Sequence, residues 1–186
     1  MGRRSRSSCR RVSRGKLQDY LNNIYEKQAN VHFTVIPTTF HTVDYDILPG
    51  GIQGVLDARN DVRATEMNPI VVAAKNSAAD INIYYVTDFF HPDAPAAIGL
   101  NVPDTTECFV KMKGNTAPLS TAAHEIGHTF GLQHPDIEFF DLAHTMPNPF
   151  YMPQDDFRTR LMYSQDSGEP QKRLVKKEWL IINPLP

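Results

Sequence analysis

The sequence predicts an α+β fold: a twisted mixed sheet of four or five strands with helices packed on it, a central helix carrying the chemistry, and a small C-terminal subdomain. Three observations predict it. The body opens on an amphipathic helical stripe, continues through short runs of strand periodicity punctuated by Pro and Gly, and then enters a helix-prone segment that ends at a glycine, Gly131. At 186 residues the chain suits one domain, long enough to bury well over half of the surface its unfolded form exposes.

Leu17, Tyr20, Leu21, Ile24 and Tyr25 fall at i, i+3, i+4, i+7 and i+8, so residues 17–28 read as a helix, with Asn30 as its stop. Val31, Phe33 and Val35 alternate with His32, Thr34 and Ile36, the period of a half-buried strand that ends at Pro37. Residues 38–64 carry Pro49, Gly50, Gly51 and Gly54 and read as turns with short extended pieces. Met67, Ile70, Val71 and Ala74 suit a second helix. Ile81 to Val86 reads as a central strand, Ala97 to Val102 as an edge strand, and Cys108 to Met112 as one more strand before the next helix. A helix-like pattern returns from Gln171 to Ile182.

Charge divides the chain. Residues 1–16 hold Arg3, Arg4, Arg6, Arg10, Arg11, Arg14 and Lys16 and no acid, and with almost no apolar residues they read as a basic, disordered tail. Taking those 7 from the 19 Lys and Arg leaves 12 bases against 21 acids in residues 17–186, a formal charge of −9. A body so acidic excludes general affinity for nucleic acid. No apolar run approaches the ~18 residues of a membrane span, and the tail lacks the apolar core of a secretory signal. With only Cys9 and Cys108, no disulfide framework holds the fold.

The chemistry concentrates in residues 121–135, TAAHEIGHTFGLQHP, with Thr121 or Ser120 as the expected N-cap. Four residues at 3.6 per turn overshoot one full turn by only about 40°, so His124 and His128 share a helix face and one ion can meet both. Glu125 stands about 100° around the helix, beside such an ion rather than in its ligand row. Gly131 is free to take positive φ, which lets the helix end sharply and return the chain toward the metal with His134. Three neutral imidazoles leave one position of a tetrahedral zinc open for water, the arrangement of a catalytic site, with Glu125 as general base. With 10 Gly and 7 His in 186 residues, both the glycine and the third histidine fall at their set positions by chance about once in five hundred. The other histidines, His32, His41, His91 and His144, have no ligand spacing to one another and read as strand or loop residues. His144, between the third ligand and the segment that should wall the site, is the first substitute for His134.

HEIGHTFGLQH resembles the extended zinc signature of the metzincin metallopeptidases, H-E-x-x-H-x-x-G-x-x-H, and Arg160-Leu161-Met162-Tyr163-Ser164 resembles their Met-turn, with Met162 lying 28 residues after His134. Met146 and Met152 compete for that role, and Tyr163 is not assigned to metal. The resemblance implies a zinc endopeptidase with His124, His128 and His134 as ligands, Glu125 as base and Met162 as an apolar floor under the imidazoles. It implies an N-terminal subdomain of residues 17–134, a C-terminal subdomain of 135–186, and a cleft between them. An extended protein or peptide substrate would lie antiparallel to the strand near Ala97 to Val102, with its side chains in a pocket walled by the 136–164 region, where Phe139, Phe140, Phe150 and Tyr151 suit an apolar lining or, equally, the core of the C-terminal subdomain. The subfamily stays open among serralysins, matrix metallopeptidases and pappalysin-like peptidases, as does a calcium ion beside the zinc. An extracellular setting follows from the resemblance alone. The rival reading is a degenerate peptidase that keeps the metal and uses the cleft only to bind a peptide.

Overall fold

The computed structural model of the chain describes residues 13–39, 56–57, 70–90, 96–102, 105–114, 116–134, 160–162 and 172–183. Its first helix, α1 (Arg14–Ala29), starts three residues ahead of the apolar stripe because Ser13 caps it, with Oγ accepting the Lys16 N–H at 3.5 Å. Leu17, Leu21, Ile24 and Tyr25 form its buried face, and Asn30 stops it in the left-handed region at φ 54°. Arg14 and Lys16, expected in the basic tail, are thus part of a helix.

Residues 31–36 correct one expectation. The alternation is present, with Val31, Phe33 and Val35 packed on the core and His32, Thr34 and Ile36 outward, yet no strand forms. Side chains of α1 bond this backbone instead of a neighbouring strand. Asn22 donates to the Phe33 carbonyl at 3.1 Å and accepts its N–H at 2.7 Å, and Gln18 accepts the Val35 N–H at 3.0 Å. Period-two patterning reports which side chains face the core, not which group satisfies the backbone.

Two small sheets follow. β1 (Leu56–Asp57) and β3 (Phe89–Phe90) form a parallel pair. β2 (Asn82–Val86), β4 (Gly99–Asn101) and β5 (Glu107–Lys111) form a three-stranded mixed sheet in the order β2-β5-β4, with β2 parallel and β4 antiparallel to β5. Among the described residues the middle strand is β5, not the expected 81–86 run. The burial of the two explains it: residues 107–110 are buried without a break, whereas β2 alternates between buried and half-buried. Among the described residues β4 lies at the sheet edge, as expected, though it spans Gly99–Asn101 rather than Ala97 to Val102. Residues 70–74 are helical, and Ile70 packs with Tyr84, Val86, Phe89 and Phe109 on one face of the sheet.

The other face carries the larger core. There Val110 meets α1 and α2 (Leu119–Thr129), together with Leu161, Met162, Leu174 and Ile182 of α3 (Lys176–Ile182). α2 begins at Leu119 with Pro118 as N-cap, three residues before Thr121 and two before Ser120. The Ala122 N–H bonds the Pro118 carbonyl at 3.2 Å, closing the first turn before either hydroxyl can cap it. The chain is therefore a mixed α+β structure with α2 between the sheet and the terminal helices. Among the described residues no helix is long and apolar enough to cross a membrane.

Candidate metal centre

Three imidazoles meet at the C-terminal end of α2. His124 and His128 stand one turn apart on its face, and their Nε2 atoms lie 3.0 Å and 3.1 Å from His134 Nε2. The three could hold a metal ion, their ligand nitrogens all lying within 4.8 Å of one another. Three metal–nitrogen bonds of about 2.0–2.1 Å at tetrahedral angles place neighbouring nitrogens about 3.3–3.4 Å apart, so the spacing fits an ion of zinc's size with little movement.

Proton positions strengthen the fit. His124 Nδ1 faces the Leu161 carbonyl at 2.8 Å, and His128 Nδ1 faces the Leu132 carbonyl at 2.8 Å. A carbonyl only accepts, so both Nδ1 atoms carry the proton and both Nε2 atoms present a lone pair. A cation among the three nitrogens can take a lone pair from each neutral ring, and backbone carbonyls on the remote ring nitrogens are what hold metal-binding imidazoles in place. Burial pushes the pKa of His128 below its ordinary value, the Leu132 carbonyl opposes this and His134 nearby adds to it, so the net direction favours the neutral ring that can ligate. All three rings are half-buried, reachable yet braced.

The turn that delivers His134 is built by Gly131 at φ 83°. The Leu132 N–H bonds the Gly127 carbonyl at 3.1 Å and the Gly131 N–H bonds the His128 carbonyl at 2.9 Å, a Schellman ending. The same turn aims the Leu132 carbonyl at His128, so one local motif both ends the helix and orients a ligand.

Met162 is fully buried beside the helix between the two ligands of α2. A Cβ at Gly127 would overlap Met162 Sδ and sit 3.2 Å from its Cε, so the glycine is what lets this Met162 rotamer approach the helix. Tyr25 donates to the Ala123 carbonyl at 2.6 Å and braces α2 from α1.

Glu125 is buried, 5% exposed, against the edge strand. A Cβ at Gly99 would lie 2.7 Å from the Glu125 carboxyl carbon and 2.7 Å from Thr121 Cγ2, so β4 passes over the carboxylate only because residue 99 is glycine. Burial pushes the Glu125 pKa up to about 8, and the Asn101 backbone N–H beside it pulls the other way.

Of the sequence-predicted residues, His124, His128 and His134 come together; Gly131 builds the turn before His134, Met162 packs against Gly127 of the same helix, and Glu125 lies on that helix against β4. The supporting groups that sequence reasoning missed are the Leu161 and Leu132 carbonyls, Gly99, Asn101 and Tyr25. Leu132 was accessible in principle from the Gly131 helix ending. A backbone carbonyl 37 residues away, as Leu161 is from His124, has no signature in residue type. His41, His91, His144, Met146, Met152, Tyr163 and the aromatic wall Phe139, Phe140, Phe150 and Tyr151 lie outside the described residues; His32 is exposed beside Glu26 at 3.1 Å, away from the centre. Compared with family models, with curated proteins and with solved structures, the chain matches none.

Proposed function

We propose that this chain is a zinc-dependent endopeptidase of the metzincin type, with His124, His128 and His134 as zinc ligands and Glu125 as general base. The observation that carries the reading is the convergence of three Nε2 atoms, two of them fixed as lone-pair donors by carbonyls on Nδ1. A zinc ion held there supplies Lewis-acid polarisation of a scissile carbonyl and acidifies the water it binds. Glu125, one step from His124 along α2, would take a water proton once its carboxyl is ionised, a state that a cation among the three histidines favours against the burial that holds its pKa up at about 8, and would pass it to the leaving amine, work worth about 10² to 10⁴ in rate. Met162 and the core behind it keep water away from the rear of the imidazoles.

β4 suits the substrate strand. Its bonds to β5, from the Lys111 N–H to the Ile98 carbonyl at 2.8 Å and from the Val102 N–H to the Glu107 carbonyl at 3.0 Å, turn the backbone groups of residues 99 and 101 to the outer edge, where the Asn101 N–H meets the Glu125 carboxylate. An extended peptide pairs there through its backbone, with affinity independent of sequence, and comes to lie beside Glu125. The metzincin-type sheet of four or five strands belongs to the same proposal, with β1 and β3 as the additional strands. So does the Met-turn role of Met162.

A second reading, a peptide-binding module that keeps the metal but does not cleave, is favoured by one observation: Glu125 lies buried against β4 rather than open to the centre. Glu125→Gln separates the two. The amide keeps size and shape but accepts no proton, so zinc content and peptide affinity should stay while turnover falls by about two to four orders of magnitude. Zinc, affinity and turnover are read on one preparation. Retained turnover contradicts the base assignment, lost zinc makes Glu125 a ligand, and a wild type that binds peptides but cleaves none favours the binding module.

A further inference from the structure

The His124 Nδ1 proton rests on the carbonyl of Leu161, in a short buried turn that must itself be held at a fixed height and angle. Apolar packing of Leu161 and Met162 against α2 fixes the distance, but a close-packed apolar contact resists rotation only weakly. A hydrogen-bonded ion pair has direction. Next to Leu161 in the chain, Arg160 is 2% exposed, and its Nη2 donates to Glu178 Oε1 at 3.0 Å. Glu178 is also buried, and its Oε2 accepts the Val175 N–H at 2.7 Å, fixing the carboxylate to the first turn of α3. The backbone completes the clamp: the Leu161 N–H bonds the Arg173 carbonyl at 2.9 Å. Gln28 of α1 holds that segment from the far side, donating to the Lys172 carbonyl at 2.8 Å and accepting the Leu174 N–H at 2.9 Å.

We propose that the buried Arg160–Glu178 ion pair is the positioning element of the metal centre, through which α3 sets the direction and tautomer of His124. The inference rests on the metal-binding reading of the three histidines. Burying two charges is a poor way to gain stability, because their desolvation offsets most of their attraction. Direction is what the pair supplies: Arg160 and Glu178 fix the 160–162 turn, the turn aims the Leu161 carbonyl, and the carbonyl keeps the proton on Nδ1 and the lone pair on Nε2. Arg160 and Glu178 are positioning residues that touch neither metal nor substrate.

The test replaces the pair by neutral side chains, Arg160→Met with Glu178→Gln. This removes both charges of the pair together, and the Gln carbonyl still accepts the Val175 N–H. Arg160→Lys is the conservative variant, and Leu21→Ala, a cavity in the same core on α1, controls for loss of stability alone. Zinc affinity is measured on the full chain by competition with a chelating dye, thermal midpoint on the apo protein, and the imidazole N–H resonances on zinc-loaded, ¹⁵N-histidine-labelled protein. The double variant should bind zinc about 10- to 100-fold more weakly. Its His124 Nδ1–H should lose protection from exchange while that of His128, held by Leu132 in a separate motif, persists. Arg160→Lys should recover part of the affinity, and Leu21→Ala should lower the midpoint without changing affinity. Unchanged affinity in the double variant overturns the proposal, as does a loss that merely follows the midpoint in both it and Leu21→Ala. A wild type that takes up no zinc contradicts the metal reading itself, a failure visible before any variant is made.

Discussion

Gly99 and Glu125 show how one side chain's absence positions another. The strand at Gly99 lies so close to the Glu125 carboxylate that any Cβ overlaps it, and overpacking of this kind costs about 1–3 kcal/mol. Gly99→Ala should therefore lower the urea midpoint in the wild type and lower it less in a Glu125→Ala background, where the carboxylate is gone. Equal losses in both backgrounds would show that Thr121, not Glu125, sets the requirement. At this scale the site was largely legible: His124, His128, His134 and Glu125 declare themselves by residue type and by spacing on a helix. Gly99 does not, because nothing in a lone glycine within a strand-like run says which side chain crosses it.

Elements were legible where apolar periodicity and packing agree. The α1 stripe, the 97–102 edge strand and the Gly131 helix ending all follow from local chemistry. Residues 31–36 show the limit, since alternation put Val31, Phe33 and Val35 on the core but could not show that Asn22 and Gln18 would take the place of a neighbouring strand. The start of α2 was misplaced because a proline carbonyl closed the first turn where a hydroxyl was expected. The Schellman ending offers a test at this scale. Gly131→Ala forces an L side chain to φ 83°, which should cost about 1–2 kcal/mol and displace both His134 and the Leu132 carbonyl. Urea unfolding should show that loss, and chelator competition should show weaker zinc binding as well. A variant that loses stability but binds zinc as the wild type does would mean that His134 reaches the metal without this turn.

On the scale of the whole molecule, α1, α2, the 160–162 turn and the segment leading into α3 converge on one core, and the three histidines stand on its rim. A metal held there joins three neighbouring ligands and reaches the distant 160–162 turn only through the Leu161 carbonyl on His124, and binding to the folded state alone should raise stability by about 2.7 kcal/mol at a free zinc concentration 100 times the Kd. Equal urea midpoints with zinc and with a chelator would contradict such binding. The long-range links in this arrangement, from Gln28 to Lys172 and Leu174 and from Arg160 to Glu178, were hidden from the sequence because each joins ordinary polar residues with no set spacing. The central claim, that His124, His128 and His134 form one metal centre, is tested most directly by metal analysis with X-ray absorption at the zinc edge, on the wild type and on His134→Ala. One zinc per chain is expected, with imidazole nitrogens at about 2.0–2.1 Å in the wild type and one imidazole fewer, with weakened zinc retention, in the variant. No zinc after resupply, or a first shell unchanged by the loss of His134, would contradict it.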